Sequence, residues 1–187
     1  MAVRERLYTL EEFREIANLP ENEEKRLEWE DGVIVDMGSS SRLNTVTGVR
    51  IAHFLNSHVL PNKLGFVTGA DGGFFLKAVG RVRRPDVAFI SSIHQVELVG
   101  IEFDIAPDLA VEVASPDEDV FKKVKEYIRS GTRIVWVVYA LEKVVDVFTA
   151  AQEGEFRVQE LTISDTLDGG DVLPDFTLPV RDIFPNG

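Results

Sequence analysis

The sequence predicts an α/β fold organised around a β-α-β core, with a hairpin near the N-terminus. Three observations carry that prediction. Leu109 to Ala114 and Ile134 to Tyr139 are apolar runs of strand length, separated by a helical segment that closes at Gly131. A strand-helix-strand crossover of this kind pairs its two strands in parallel. Asp31-Gly32, between Arg26-Leu27-Glu28-Trp29 and Val33-Ile34-Val35, is the dipeptide of a two-residue hairpin. Val144 to Phe148 and Phe156 to Leu161 read as a second hairpin around Gly154 that extends the sheet.

Along the chain, Thr9-Leu10-Glu11-Glu12 has the capping-box form, and Leu10, Phe13, Ile16 and Ala17 follow at helical spacing, which predicts a first helix to about Asn18. A second helix is expected from Leu43 to Val59, with Gly48, Ile51, Ala52, Leu55 and Val59 on one stripe and Pro61 as its stop. Leu64 to Thr68, Phe74 to Lys77 and Arg84 to Ile90 read as three strands, and Glu97 to Asp104 as an acidic loop or lid. Ser115-Pro116-Asp117-Glu118 has the pattern of a helix start, with Ser at the N-cap, Pro at the first helical position and Glu at N3. Asp168 to Gly187 is expected as an irregular strap anchored by Phe176, Leu178, Ile183 and Phe184.

The 187 residues suit one domain, 1–187, and 44% hydrophobic content is that of a globular chain. No apolar run reaches the roughly 18 residues of a membrane span, and Met1-Ala2-Val3-Arg4-Glu5-Arg6 lacks a signal-peptide core, so a cytoplasmic location is expected. With no cysteine, any metal must be held by oxygen or histidine. A net charge of −12 argues against bulk electrostatic coating of nucleic acid. The distribution is uneven, however: Met37 to Ala70 contains no Asp or Glu, and basic residues cluster at Lys77, Arg81, Arg83 and Arg84 and again from Lys122 to Arg133.

Asp86, in Arg84-Pro85-Asp86-Val87-Ala88-Phe89-Ile90, and Glu112, in Leu109-Ala110-Val111-Glu112-Val113-Ala114, are carboxylates inside apolar runs. Burying a carboxylate costs several kcal/mol unless a cation or hydrogen bonds compensate, so two on neighbouring strands suggest one shared metal ion. Either alone is as readily a turn or edge-strand carboxylate. Asp108 shares the face of Glu112 but lies roughly 13 Å away, too far for one ion, and reads as a strand-entry residue. On the following helix Val120, Val124, Tyr127 and Ile128 form the buried stripe. Lys122 and Lys125 point away from it, and Lys123 on its flank can lean towards Glu112 or lay its stem over Tyr127. His53, His58 and His94 have no partners at ligand spacing and read as ordinary histidines.

The order of Arg83-Arg84-Pro85-Asp86-Val87-Ala88-Phe89, Pro107-Asp108-Leu109-Ala110-Val111-Glu112-Val113-Ala114-Ser115-Pro116, the helix with Lys123 and Tyr127, and Gly131-Thr132-Arg133-Ile134-Val135-Trp136 resembles a family of restriction endonuclease-like proteins with a PD-(D/E)xK core. Leu27-Glu28-Trp29-Glu30-Asp31-Gly32 and Asp171-Val172-Leu173-Pro174-Asp175-Phe176 extend the similarity over nearly the whole chain. The resemblance implies a restriction endonuclease-like mixed β-sheet flanked by helices, Asp86 and Glu112 as Mg²⁺ (or Mn²⁺) ligands, and a lysine that activates or orients water. The core pattern's lysine position is Ala114 here, and Lys123 matches the helix position where this family carries it. Asn44 stands where many members have a histidine. Glu28 matches an acidic position, as a further ligand or a lysine partner.

The expected activity is that of a Mg-dependent endonuclease hydrolysing DNA phosphodiesters, with Val113 as a carbonyl ligand, Tyr127 accessory to the site, and Arg42, Arg50, Arg83 and Arg84 as phosphate contacts. Cutting both strands would suit a homodimer or higher homo-oligomer. A non-catalytic interaction module of the same fold, and a metal-dependent hydrolase of a small phosphate or nucleotide, remain alternatives.

Overall fold

The computed structural model describes residues 6–115, 118–152 and 155–185. Helix α1 (Leu10–Ala17) starts as expected: the Thr9 hydroxyl accepts from the Glu12 N–H, and the Glu12 carboxylate accepts from the Thr9 N–H. It seats Phe13 against Leu27 and Val82. Strands β1 (Leu27–Glu30) and β2 (Val33–Asp36) close over Asp31 and Gly32, at φ 51° and 88°, the two left-handed positions that a type I′ turn requires.

Strand β3 (Gly65–Thr68) is an edge of a six-stranded sheet, and β4 (Gly73–Leu76) and β5 (Arg81–Arg83) join β1 and β2 in a five-stranded sheet. The short β7 (Glu102–Phe103) completes the latter. The six-stranded sheet continues through β6 (Val87–Ser91), β8 (Leu109–Val113), β9 (Ile134–Tyr139), β10 (Val144–Ala150) and β11 (Phe156–Leu161). Its order is β11-β10-β9-β8-β6-β3, and only β8 and β9 run parallel. Helix α3 (Val120–Arg129) makes that crossover. Helix α2 (Arg42–Asn62) buries Ile51, Leu55 and Val59 with Val87, Val111 and Trp136, whereas Val124, Tyr127 and Ile128 of α3 pack with Ala88, Ala110 and Val137. Period-2 alternation thus gives each sheet face its own helix. This is the mixed, helix-flanked sheet with β-α-β core and N-terminal hairpin that was expected.

Four details differ. Arg84 to Ile90 is not one strand: β5 ends at Arg83 and β6 starts at Val87, with Arg84-Pro85-Asp86 carrying the chain from one sheet to the other. Pro85 has no N–H for a ladder, which favours this break. Pro61 lies inside the last turn of α2, and the helix runs to Asn62 and is closed by Lys63, at φ 52°. Helix α3 is capped by Asp119, whose carboxylate accepts from the Lys122 N–H at 3.1 Å, not by Ser115. Pro116 and Asp117 of that predicted start, and Gly154 of the predicted turn, lie outside the described residues, although β10 and β11 do pair. Within the tail, β12 (Thr166–Asp168) and β13 (Thr177–Pro179) form a regular two-stranded ladder. Among the described residues no helix is long and apolar enough to cross a membrane.

Candidate active site

The sheet-switching corner sets Asp86 beside the C-terminal end of β8. Its Oδ2 accepts from the Val113 N–H at 2.8 Å, which locks the carboxylate next to Glu112, and its side chain is 17% exposed. Glu112 points to the α3 side of the sheet, where the Tyr127 hydroxyl donates to Oε1 at 2.7 Å and the Lys123 ammonium donates to Oε2 at 3.2 Å. Lys123 also lies 2.5 Å from Glu118 Oε1 and 3.8 Å from Glu28 Oε1. Asp86, Glu112, Val113 and Lys123 line one cleft of about 60 Å³ together with Arg26, Ser39, Ser40, Ser115 and Glu118. Asn44, from the first turn of α2, donates to the Val113 carbonyl at 3.2 Å and so ties α2 to the cleft floor.

Burial raises Asp86 above the ordinary carboxylate range, against the pull of the Val113 N–H and Arg26. Burial pushes Glu112 further, up to about 8, with Lys123 opposing and Asp86, Glu118 and Glu28 adding to the rise. Burial alone would lower Lys123, but Glu112, Glu28 and Glu118 outweigh it and hold the amine firmly protonated. The buried Tyr127 hydroxyl is raised too, by burial and then by the Glu112 charge, so it stays a donor.

Glu28 is fully buried and works as a partner of cations. It takes Arg83 Nη1 at 2.7 Å and the Arg84 N–H at 2.9 Å while facing Lys123. Arg83, expected as a phosphate contact, is 3% exposed and committed to Glu28, to Glu126 at 2.7 Å and to Glu30 at 3.1 Å. Arg84 is likewise spent on the Leu27 and Asp71 carbonyls, and Arg50 on the Phe184 carbonyl. Arg42 is exposed, and its side chain makes no hydrogen bond or ion pair to the described residues. Asp108 is a structural carboxylate, accepting from the Ser91 N–H at 2.7 Å and from Arg133 at 3.0 Å, with His94 beside it.

Sequence reasoning missed Arg26 and Glu118 in the cleft. Arg26 precedes β1 and its contacts with Arg84 and Asp86 are 58 and 60 residues away, a separation that leaves no local signature. Glu118 was assigned to the first turn of a helix that in fact starts after it.

A family model, Uma2, described as "Putative restriction endonuclease", matches residues 10–181. The chain belongs to the Uma2 family. The crystal structure of a putative nuclease belonging to DUF820 from Anabaena variabilis ATCC 29413 matches with a TM-score of 0.74 at 25% sequence identity, over 94% of this chain and 97% of that one. None of the curated proteins matches the chain. Family and fold together make this Uma2 protein restriction endonuclease-like. In this Uma2 chain no group of three or more His, Cys, Asp and Glu among the described residues is arranged to hold a metal. A site here would therefore consist of two carboxylates, a carbonyl and water. That donor set fits Mg²⁺ or Mn²⁺, hard ions held through one or two carboxylates with several waters retained.

Proposed function

We propose that this chain is a Mg²⁺- or Mn²⁺-dependent endonuclease that hydrolyses phosphodiester bonds of DNA. The observation that carries the reading is the convergence of Asp86, Glu112 and the Lys123 ammonium, from three separate elements, on one cleft. Membership of a restriction endonuclease family favours nucleic acid as substrate, and restriction endonuclease-like proteins generally use divalent metals.

Asp86, Glu112 and the Val113 carbonyl would hold the ion. When bound, it supplies Lewis acidity towards a phosphoryl oxygen and lowers the pKa of coordinated water. Lys123, kept charged by three carboxylates, orients the attacking water and offsets charge growing on the phosphate. Tyr127 fixes the Glu112 carboxylate, and Glu28 backs Lys123 from the protein side. Asn44 steadies the Val113 carbonyl. One site per chain calls for two copies to cut both strands, so the reading includes a homodimer or higher homo-oligomer.

The test is nicking of supercoiled plasmid at low salt with Mg²⁺ or Mn²⁺. Wild type should nick, while chelation, Asp86→Ala and Glu112→Ala should each abolish it. Nicking that survives both substitutions refutes the site. Hydrolysis of a small phosphodiester without any plasmid nicking would reassign the substrate.

A further inference from the structure

We propose that Arg26 is the substrate-gripping cation of the cleft, a guanidinium that binds the non-bridging oxygens of a phosphate drawn in beside Lys123. The inference rests on the nuclease reading above and adds to it a residue from the segment that leads into β1.

Four observations support it. Arg26 lines the cleft with Asp86, Glu112 and Lys123. Its bonds are long for a guanidinium: 3.4 Å to Asp86 Oδ1, 3.3 Å to the Arg84 carbonyl and 3.1 Å to Ser40 Oγ. Charge-assisted N–H···O bonds close to about 2.7–2.9 Å when they are fully formed, as Arg83 does twice. Among the described residues the buried Arg26 Nε–H has no acceptor, a deficit that an incoming oxyanion would relieve. Of the other candidate arginines, Arg83 is committed to three carboxylates and Arg84 to two carbonyls, while the exposed Arg42 does not line the cleft.

The electrostatics favour such a group. Asp86, Glu112 and Glu118 line the cleft against one lysine, and that lysine already faces Glu112 and Glu118. With the ion of the proposed reading held by Asp86 and Glu112, Glu118 still offsets Lys123, so a further cation favours phosphodiester entry, and a planar fork can take two of its oxygens at once. The weak hold of Asp86 leaves the Arg26 fork free to turn to the phosphate.

The experiment compares wild type, Arg26→Gln and Arg26→Lys by three measurements: inorganic phosphate binding by calorimetry, anisotropy of a short fluorescein-labelled DNA duplex in Ca²⁺ across a salt series, and Mn²⁺ titration. Arg26→Gln should weaken phosphate and duplex binding on the order of tenfold and reduce the salt slope by about 1. Mn²⁺ affinity should be unchanged or tighter. Arg26→Lys should recover part of the loss, since it keeps the charge without the fork. Phosphate and duplex binding that is unaffected by Arg26→Gln overturns the proposal, even if wild type nicks DNA. So does a parallel loss of Mn²⁺ affinity, because Arg26 would then only be holding Asp86. If wild type neither binds nor nicks the duplex, yet phosphate binding depends on Arg26, the DNA reading fails and the anion role of Arg26 stands.

Discussion

Replacing Arg83 by Met should cost about 3–5 kcal/mol of folding stability, the range for removing one partner of a buried ion pair. The guanidinium is 3% exposed and makes contacts of 2.7, 2.7 and 3.1 Å to Glu28, Glu126 and Glu30. Each carboxylate keeps another cation in reach: Lys123 for Glu28, Arg81 for Glu126, and Arg81 with Lys122 for Glu30. That residual pairing argues for the lower end, about 3 kcal/mol. With an unfolding entropy of roughly 2 cal/mol/K per residue, a chain of this length loses about 2.5 °C of Tm per kcal/mol, so Tm should fall by about 8 °C. Urea denaturation at constant m should report the same loss. Glu28→Gln in the Arg83→Met background should recover part of it, because it removes the most buried of the stranded charges. A loss below about 1 kcal/mol, or no recovery in the double variant, would refute the assignment of Arg83 as the hub of a buried network.

Three further outcomes are expected. Glu112, raised from an ordinary 4.5 to about 8, keeps its proton in the metal-free folded state over a pH range where the unfolded chain releases it. Stability without metal should therefore fall as pH rises from about 4.5 to about 8, and Glu112→Gln should flatten that slope in thermal melts across pH. Tyr127→Phe removes a buried donor 2.7 Å from Glu112 and should cost about 1.5–3 kcal/mol in urea denaturation; an unchanged midpoint would contradict the hydrogen bond. Gly65→Ala should cost about 3 kcal/mol or fail to fold, because Gly65 lies at φ 150° and an added Cβ would collide with the Ile90 carbonyl oxygen across the β3–β6 ladder; near-native melting would refute it.

What was legible in the sequence follows from the range of the interactions involved. The capping box at Thr9, the Asp31-Gly32 turn and the strand-helix-strand unit are encoded within a few residues or one period, and each forms where it was read. Lys123 was found because helical periodicity places it beside the Val124–Tyr127 stripe, and it does reach Glu112. The strand read across Arg84 to Ile90 failed because hydrophobicity persists where the hydrogen-bond ladder changes partners. The internal commitments of the arginines read as phosphate contacts were not legible for a related reason. Sequence gives the charge of Arg83 but not the three carboxylates that consume it, which are 43, 53 and 55 residues away. Arg26 escaped notice on the same ground.

Net charge, the strongest sequence argument against a nucleic-acid substrate, describes the whole surface and not the cleft. One wall of the cleft comes from the acid-free stretch that begins at Met37 and contributes Met37, Ser39 and Ser40, with Asn44 bonded to its floor. The acids concentrate on the other side, where Glu112 and Glu118 face Lys123, and behind it, where Glu28, Glu30 and Glu126 are neutralised internally by Arg81, Arg83 and Lys122. An anion in the cleft would therefore be met by the Ser39 and Ser40 hydroxyls and Arg26 as well as by carboxylates. Screening over about 8–10 Å at physiological salt makes this local arrangement weigh more on an anion in the cleft than the distant surface acids do.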